Sequence, residues 1–417
     1  MVDRLSIIAN HTKQVSEPKL KYLKDPLEFL KLEDLIPADL NTRRKELRAV
    51  LDEIAPILPE YVEKAEFPKH IIPKLRSTMG LMEAKYGCRQ ITSLEVNLNF
   101  YELARVDASL ATFYGVSIGL VLYTIEKLGS EEQKAKYLPG LCNFDIIGCW
   151  GLTEPNYGSD ASSLRTTATP VEGGFEITGE KRWIGNAIMS DIMIIWANNT
   201  KTNQVEGFIV PTKSQGVQVK NIERKLALRI VQNGHITMNK VFVPTNSKLE
   251  KATNFMNGTN VVLEHSRVSI PWAATGVMAG VYENCVKYMN DRLQFGAPLS
   301  AYQLNQEKLV RILGHFQAAF LMSWRIDHLH GIGQVNIAQA SLVKGWTTSI
   351  GREVVRLGRE IFGGNGIIID NYVIKAMADM EVLHTYEGTY DINVLVAGRD
   401  ITGIAAFKSS YKPPKKA

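Results

Sequence analysis

Apolar residues recur every three or four positions through the N-terminal part of the chain, the period of a helix with one buried face. Leu47, Val50, Leu51 and Ile54 form such a stripe, and Pro56, Pro59, Pro68 and Pro73 punctuate the segment after it. Helical texture runs from 39 to about 137, and the stretch 97–128 is apolar on several faces, as a buried helix pair would be. Residues before 39 show no strong period and read as a loosely held arm. After Pro139-Gly140 the texture changes. Turn signals at Glu172-Gly173-Gly174 and Thr178-Gly179-Glu180 flank the alternating Phe175 and Ile177, and short β-branched runs follow at 191–197, 207–210, 217–219 and 235–243. Helical stripes then return: Leu309, Ile312, Leu313, Phe316 and Phe320, and later Val343, Trp346, Ile350, Val354, Leu357 and Ile361. Gly363-Gly364 stops the second stripe in the manner of a C-cap, and 390–407 predicts a last helix with Thr389 as its N-cap.

These patterns predict an α+β, multidomain protein. Its expected parts are an arm (1–38), an N-terminal helical domain (39–146), a middle β-sandwich or barrel (147–250) and a C-terminal four-helix-bundle domain with a basic tail (251–417).

Composition narrows the class. With 417 residues, 45% hydrophobic and 22% charged, the chain is long enough for more than one core and is folded rather than disordered. A net charge of +5 suits anionic ligands such as phosphates, but no dense Lys/Arg block of the kind that grips nucleic acid is present. Cys88, Cys142, Cys149 and Cys285 are scattered without a CxxC pair, which argues against a zinc site or a disulfide framework and for a reducing compartment. Apolar runs such as 116–125 are short for a bilayer, and no signal peptide opens the chain. A soluble intracellular protein with no membrane span is expected.

Two stretches carry candidate chemistry. Gly151-Leu152-Thr153-Glu154-Pro155-Asn156-Tyr157-Gly158-Ser159-Asp160 offers hydroxyls and backbone donors to a polar ligand edge, although a structured turn is the favoured reading from the residues alone. Tyr386-Glu387-Gly388-Thr389 places a lone carboxylate at a helix start, where simple stabilisation by the helix dipole is the favoured reading from the residues alone. The first stretch, together with Glu360-x-x-Gly363-Gly364-x-Gly366-Ile367-x-x-Asp370 and the later Lys375 and Asp379, resembles the two signatures of the acyl-CoA dehydrogenase/oxidase flavoproteins. Tyr157 departs from the first, where a small residue is usual.

The likeness extends from about 39 to 407 and includes Lys181-Arg182-Trp183-Ile184-Gly185-Asn186, Gln294-Phe295-Gly296-Ala297-Pro298-Leu299 and 386–393. It is nearest to the plant peroxisomal short-chain oxidases, with glutaryl-CoA dehydrogenases next. The resemblance implies FAD-dependent α,β-dehydrogenation of an acyl-CoA by a homotetramer, with Glu387 as the base. A proton beside a thioester is only weakly acidic, so a positioned base and an oxyanion stabiliser are needed. The Glu387 N–H would share that second task with a flavin hydroxyl.

By the same resemblance, Trp150, Leu152, Thr153, Trp183 and Ile184 line the flavin ring, with Ser159 and Gly185 beside them. Arg292 and Phe295 reach a neighbouring subunit's FAD, Gln303, Glu360, Gly363 and Gly364 approach the adenine end, and Thr389 and Asp391 complete the site. Ser159, Glu264 and Arg267 bear on the CoA portion, and Gly388 lies against the thioester. Core packing is the competing reading for Trp150 and Phe295, and a surface ion pair for Arg292. The stretch 108–115 lacks the arginine that pairs with a distal carboxylate in glutaryl-CoA dehydrogenases, which disfavours a dicarboxylyl substrate. Gly185 stands where dehydrogenases of this kind usually have Thr or Ser, which points to O2 as electron acceptor, with a simple backbone demand for glycine as the competing reading.

The chain ends Lys415-Lys416-Ala417, without a peroxisomal tripeptide. Arg4-Leu5 and His11-Thr12 instead resemble the N-terminal peroxisomal nonapeptide, with Thr12 departing. A peroxisomal short-chain acyl-CoA oxidase is therefore expected. The alternatives are a mitochondrial matrix dehydrogenase feeding an electron-transferring flavoprotein, and a silent acyl-CoA-binding or assembly protein.

Overall fold

A computed structural model describes residues 22–405, so the nonapeptide and the basic tail lie outside the described residues. The first helical layer comprises α1 (Ala38–Ile54), α2 (Leu58–Lys64), α3 (Ser93–Val106), α4 (Ala108–Leu128) and α5 (Glu131–Cys142). The segment ahead of α1 is not a loose arm where it is described. It forms helical turns at Pro26–Glu28 and Leu32–Leu35, and Leu27 is 0% exposed. Its short helical turns show no long period, yet distant polar groups fasten their backbone: Gln317 Nε2 donates to the Pro26 carbonyl at 2.6 Å and Trp324 Nε1 to Leu35 at 3.1 Å.

Asp107 starts α4 by accepting the Ser109 N–H at 2.6 Å. With a mean hydropathy of 1.6 over its best window, this helix is long and apolar enough to cross a membrane, against the expectation from 116–125 alone. However, 83% of that window is buried inside the protein. Its apolar faces pack on protein on several sides, as the all-round hydrophobic pattern requires. Cys88 and Cys142 form a disulfide, which corrects the expectation of free thiols at these positions; Cys149 and Cys285 are free and buried. The 54-residue separation of the pair hides a spatial proximity that sequence spacing does not reveal.

The middle domain is a single curled sheet of seven strands: β1 (Gly148–Gly151), β2 (Thr167–Val171), β3 (Gly174–Ile184), β4 (Ile192–Asn199), β5 (Gln204–Pro211), β6 (Val217–Asn221) and β7 (Gly234–Pro244). β4 pairs with β5 along one edge, and with β1 and then β2 in parallel along the other. Alternation along the strands splits their side chains. Trp150, Ile194 and Trp196 join the helical core, whereas Cys149, Met193, Ile195 and Phe208 fill the sheet's own core.

The C-terminal layer holds α6 (Val261–Arg267), α7 (Ser269–Asp291), α8 (Gln303–Gly331), α9 (Ile337–Ile361), α10 (Val373–Thr385) and α11 (Tyr390–Thr402). α9 packs on α7, α8, α10 and α11, and α3 lies along α7, so the two helical layers share a core. Two expectations are corrected. Trp346 is 53% exposed rather than part of the buried stripe. The last helix stops at Thr402 because Gly403 adopts the left-handed conformation, φ 72°.

Candidate active site at the turn between α10 and α11

Tyr386 leaves α10 in extended conformation, and the next two residues turn left-handed, Glu387 at φ 55° and Gly388 at φ 85°. A left-handed glutamate costs about 1–3 kcal/mol and persists only where its surroundings impose it. They do so here. Ser266 Oγ donates to Glu387 Oε2 at 2.8 Å, and Arg267 Nε donates to the Glu387 carbonyl at 3.3 Å. Lys344 Nζ donates to the Gly388 carbonyl at 2.6 Å and to the His384 carbonyl at 3.1 Å, and Asn393 Nδ2 donates to Gly388 at 2.8 Å. A Cβ on Gly388 would stand 3.0 Å from that Asn393 nitrogen. Thr389 Oγ1 accepts the Ile392 N–H at 3.2 Å and starts α11.

As a whole residue Glu387 is half-buried, and its carboxylate is directed inward to Ser266. Burial raises its pKa above the ordinary carboxylate value, against the lowering effects of the Ser266 hydrogen bond, Arg267 and Lys344. A carboxylate with a raised pKa on a fixed turn is equipped to take a proton.

α4 joins this turn to the end of β3. Thr112 Oγ1 lies 3.3 Å from the Tyr386 hydroxyl, and one turn later Val116 Cγ2 would stand 3.0 Å from a Cβ built on Gly185. Asn186 Nδ2 donates to the Phe113 carbonyl at 3.2 Å and docks the strand end there. Tyr386, which precedes Glu387, and Gly185, which follows Trp183-Ile184, therefore meet the same face of α4 one turn apart. Trp183 is left-handed, φ 65°, with a 54% exposed ring under the Arg182 guanidinium. Leu152 and Thr153 run beside this strand: their carbonyls accept from Lys181 Nζ at 3.1 Å and the Arg182 N–H at 2.8 Å. Ile184 is buried and Ser159 is exposed.

Trp150 departs from the expected ligand-lining role. Its ring packs against Trp196, and its N–H donates to Thr124 on α4 at 3.1 Å, because alternation along β1 turns it into the helical core. Lys375 and Asp379 of the second motif have a structural task. Lys375 pairs with Asp379 and with Asp107 (2.6 Å), and Asp379 accepts the Leu228 N–H at 2.6 Å. This buried clamp ties α10 to the start of α4 and to the loop between β6 and β7.

Asp391 lies in the first turn of α11 and Glu264 on α6 with Ser266 and Arg267, whereas the remaining predicted residues lie elsewhere. Arg292, Gln303 and Asp391 are exposed, and Phe295 is 89% exposed at φ 51°. Glu264 is exposed and accepts from Asn260 Nδ2 at 2.8 Å. Glu360 pairs with Lys308 at 3.3 Å, near exposed Gly363 and Gly364, around which a Cβ would meet nothing within 4 Å. No hydrogen bond or ion pair joins Arg292, Phe295 or Gln303 to the Glu387 turn among the described residues. Sequence reasoning missed Ser266, Lys344, Asn393, Thr112 and Val116. Lys344 was detectable: helical phase aligns it with small residues Ser341, Thr348 and Gly351, all on the buried face of α9.

Family comparisons fit this architecture. Models of the N-terminal, middle and C-terminal domains of acyl-CoA dehydrogenases match residues 38–145, 149–241 and 257–402. An acyl-CoA dehydrogenase of Bacillus subtilis (strain 168) is 31% identical over 358 residues, 84% of this chain and 94% of that relative. The chain belongs to the acyl-CoA dehydrogenase family. Within it, the mitochondrial short/branched chain specific acyl-CoA dehydrogenase of Rattus norvegicus is 28% identical over 391 residues, covering 92% of this chain and 90% of that one. A glutaryl-CoA dehydrogenase of Mycobacterium smegmatis, solved in complex with FADH2, superposes with a TM-score of 0.89 at 29% identity, covering 93% of this chain and 100% of that one. The family expected from the two motifs is thus shown. These relatives are named as dehydrogenases, not as oxidases.

Proposed function

We propose that the protein catalyses FAD-dependent α,β-dehydrogenation of a short-chain acyl-CoA, with Glu387 taking the α proton and O2 accepting the electrons. The observation that carries the reading is the Glu387 carboxylate, hydrogen-bonded by Ser266 on a left-handed turn. FAD, when bound, supplies the two-electron acceptor for the hydride from Cβ. The residues fit such a group. Trp183 offers an exposed ring beside Gly185, open space surrounds Gly363 and Gly364, and the N-terminus of α11 at Thr389 suits an anionic pyrophosphate.

Leu152, Thr153, Trp183, Ile184, Thr389 and Asp391 would hold FAD in one copy. Arg292, Phe295, Gln303 and the 360–364 turn would serve it from a second copy. Exposed Phe295 (89%), Leu304 (79%) and Val310 (70%) supply apolar surface for that copy, in keeping with a homotetramer. Ser159 and Glu264 would face the CoA portion. Arg267, expected at the CoA portion, is instead buried and donates to the Glu387 carbonyl and Ser341, and the Gly388 backbone would lie against the thioester. Thr112 faces Tyr386 from a stretch without arginine, so an acyl chain with no distal carboxylate fits better than glutaryl.

A second reading passes the electrons to an electron-transferring flavoprotein, and the dehydrogenase relatives favour it. Butyryl-CoA separates the readings. Bleaching followed by peroxide release in air supports the oxidase, bleaching that persists in air supports the dehydrogenase, and a protein that binds no FAD sinks both.

Gly185 carries the choice of acceptor. The space for its side chain is narrowed by Val116 and Val231, so Gly185→Ser is a gentler probe than threonine. It is expected to slow peroxide formation about tenfold while anaerobic bleaching persists, by returning a hydroxyl beside the flavin edge. Unchanged oxygen reactivity would refute the assignment. Peroxisomal residence is the compartment proposed with this chemistry, since peroxide is its product.

A further inference from the structure

Lys344 occupies a position where lysine is costly. It lies on the core-facing side of α9, 0% exposed, among Ser341, Thr347 and Thr348, which are also 0% exposed. No carboxylate pairs with it directly among the described residues, and its partners are backbone carbonyls. One belongs to His384 in the last turn of α10, and the other to Gly388, immediately after the candidate base. The ammonium thus brackets residues 385–387 from both sides.

The bracket constrains the backbone. The Gly388 carbonyl accepts from both Lys344 and Asn393, while the preceding Glu387 carbonyl accepts from Arg267. Successive peptide planes are therefore held with their oxygens toward the cations, and their N–H groups face the opposite way. That orientation sustains two left-handed residues in succession, one of them not glycine.

Charge acts along with geometry. Burial brings the Lys344 pKa down to about 7, although the Glu387 carboxylate works to raise it and Arg267 to lower it further. Lys344 in turn is among the groups that lower the pKa of Glu387. The other titratable or charged groups around the pair are Arg267 from α6, His384 and Glu381 from α10, Tyr386 from the turn, Asp391 from α11 and Arg352 from α9. Of these, only Arg267 and Lys344 are cations that act on Glu387.

Resting on the reading of Glu387 as the base, we propose that Lys344 is its positioning residue. The ammonium fixes the catalytic turn through the His384 and Gly388 carbonyls, and its positive charge keeps the carboxylate ionised for proton removal. A lysine that merely satisfied two buried carbonyls would hold the fold without influencing the acidity of Glu387.

The test uses the FAD-loaded protein and butyryl-CoA without oxygen, following the limiting rate of flavin bleaching against pH. Lys344→Met is expected to slow it about a hundredfold through misplacement of the turn. The acid limb should move up by about 1 pH unit, because a neighbouring cation has gone. Lys344→Arg should recover most of the rate and the original limb, whereas Lys344→Gln, a donor without charge, should recover rate but not the limb. A methionine variant with wild-type FAD content and an unmoved limb overturns the proposal, as does an arginine variant no better than methionine. If methionine prevents folding, the glutamine and arginine variants decide, and coincident acid limbs refute the electrostatic role. Wild-type flavin that binds but never bleaches overturns the base reading itself, which separates that failure from failure of the lysine proposal.

Discussion

Glu387→Gln is expected to leave a folded, FAD-binding protein whose flavin is bleached by butyryl-CoA on the order of 10⁴-fold more slowly. Glutamine keeps the length of the side chain and an oxygen that accepts from Ser266, but it has no basicity at working pH. The groups that hold the turn are untouched, since Arg267 and Lys344 bond to backbone carbonyls rather than to the side chain. Stability should not fall either. The folded pKa of Glu387 is raised by burial, so its charged form is disfavoured on folding, and that penalty grows as pH rises from the unfolded to the folded pKa. Replacing the charge at neutral pH removes the penalty, and the melting temperature should be unchanged or slightly higher. Wild-type bleaching should itself rise with pH along an acid limb above the ordinary carboxylate range, and this limb should vanish in the variant. Stopped-flow absorbance without oxygen checks both. Bleaching at near the wild-type rate would show that another group takes the proton.

How much of this site was legible in sequence depends on how local each feature is. The cap at Thr389 and the stripe from Leu309 to Phe320 arise within one helix, so period and capping chemistry reveal them. The identity of Glu387 as a candidate came from the motif around it. Ser266 lies 121 residues from its partner Glu387, and Thr112 lies 274 from Tyr386, so no local pattern records either contact. The disulfide and the docked segment around Leu27 were missed for the same reason. Trp346 shows the converse limit, because an apolar residue at the right helical spacing can still face outward. Trp150, expected to line the flavin, lies on β1 with its ring turned into the helical core. A strand at the boundary between two cores buries both faces, and alternation then cannot say which core receives which ring.

The largest stability effect is expected at Glu102 on α3, remote from the Glu387 turn. Its side chain is fully buried and meets Arg44 at 2.7 Å, Arg48 at 3.0 Å and Arg105 at 3.0 Å. Arg48 and Arg105 also reach Glu283 on α7, at 3.2 and 2.8 Å, so the network ties α1, α3 and α7 together. Glu102→Ala strands several guanidiniums without their shared anion, and the expected loss is about 3–5 kcal/mol. Glu381→Ala, which breaks an exposed pair with Arg352, should cost only about 0–1 kcal/mol. The difference tests burial, not the number of ion pairs. Acid should erase it. Burial works to raise the Glu102 pKa, but the guanidiniums, Arg48 foremost, hold it below the ordinary value. Its contribution is therefore present above the unfolded carboxylate pKa and lost as pH falls through the depressed folded one. Glu283 behaves oppositely: burial raises its pKa despite Arg105 and Arg48, so ionising it is penalised in the fold and its removal should cost less than that of Glu102. Denaturant unfolding of the variants at neutral and acid pH checks the order. Equal losses for Glu102 and Glu381, or a Glu102 loss that does not shrink in acid, would show that this buried network does not hold the helical layers together.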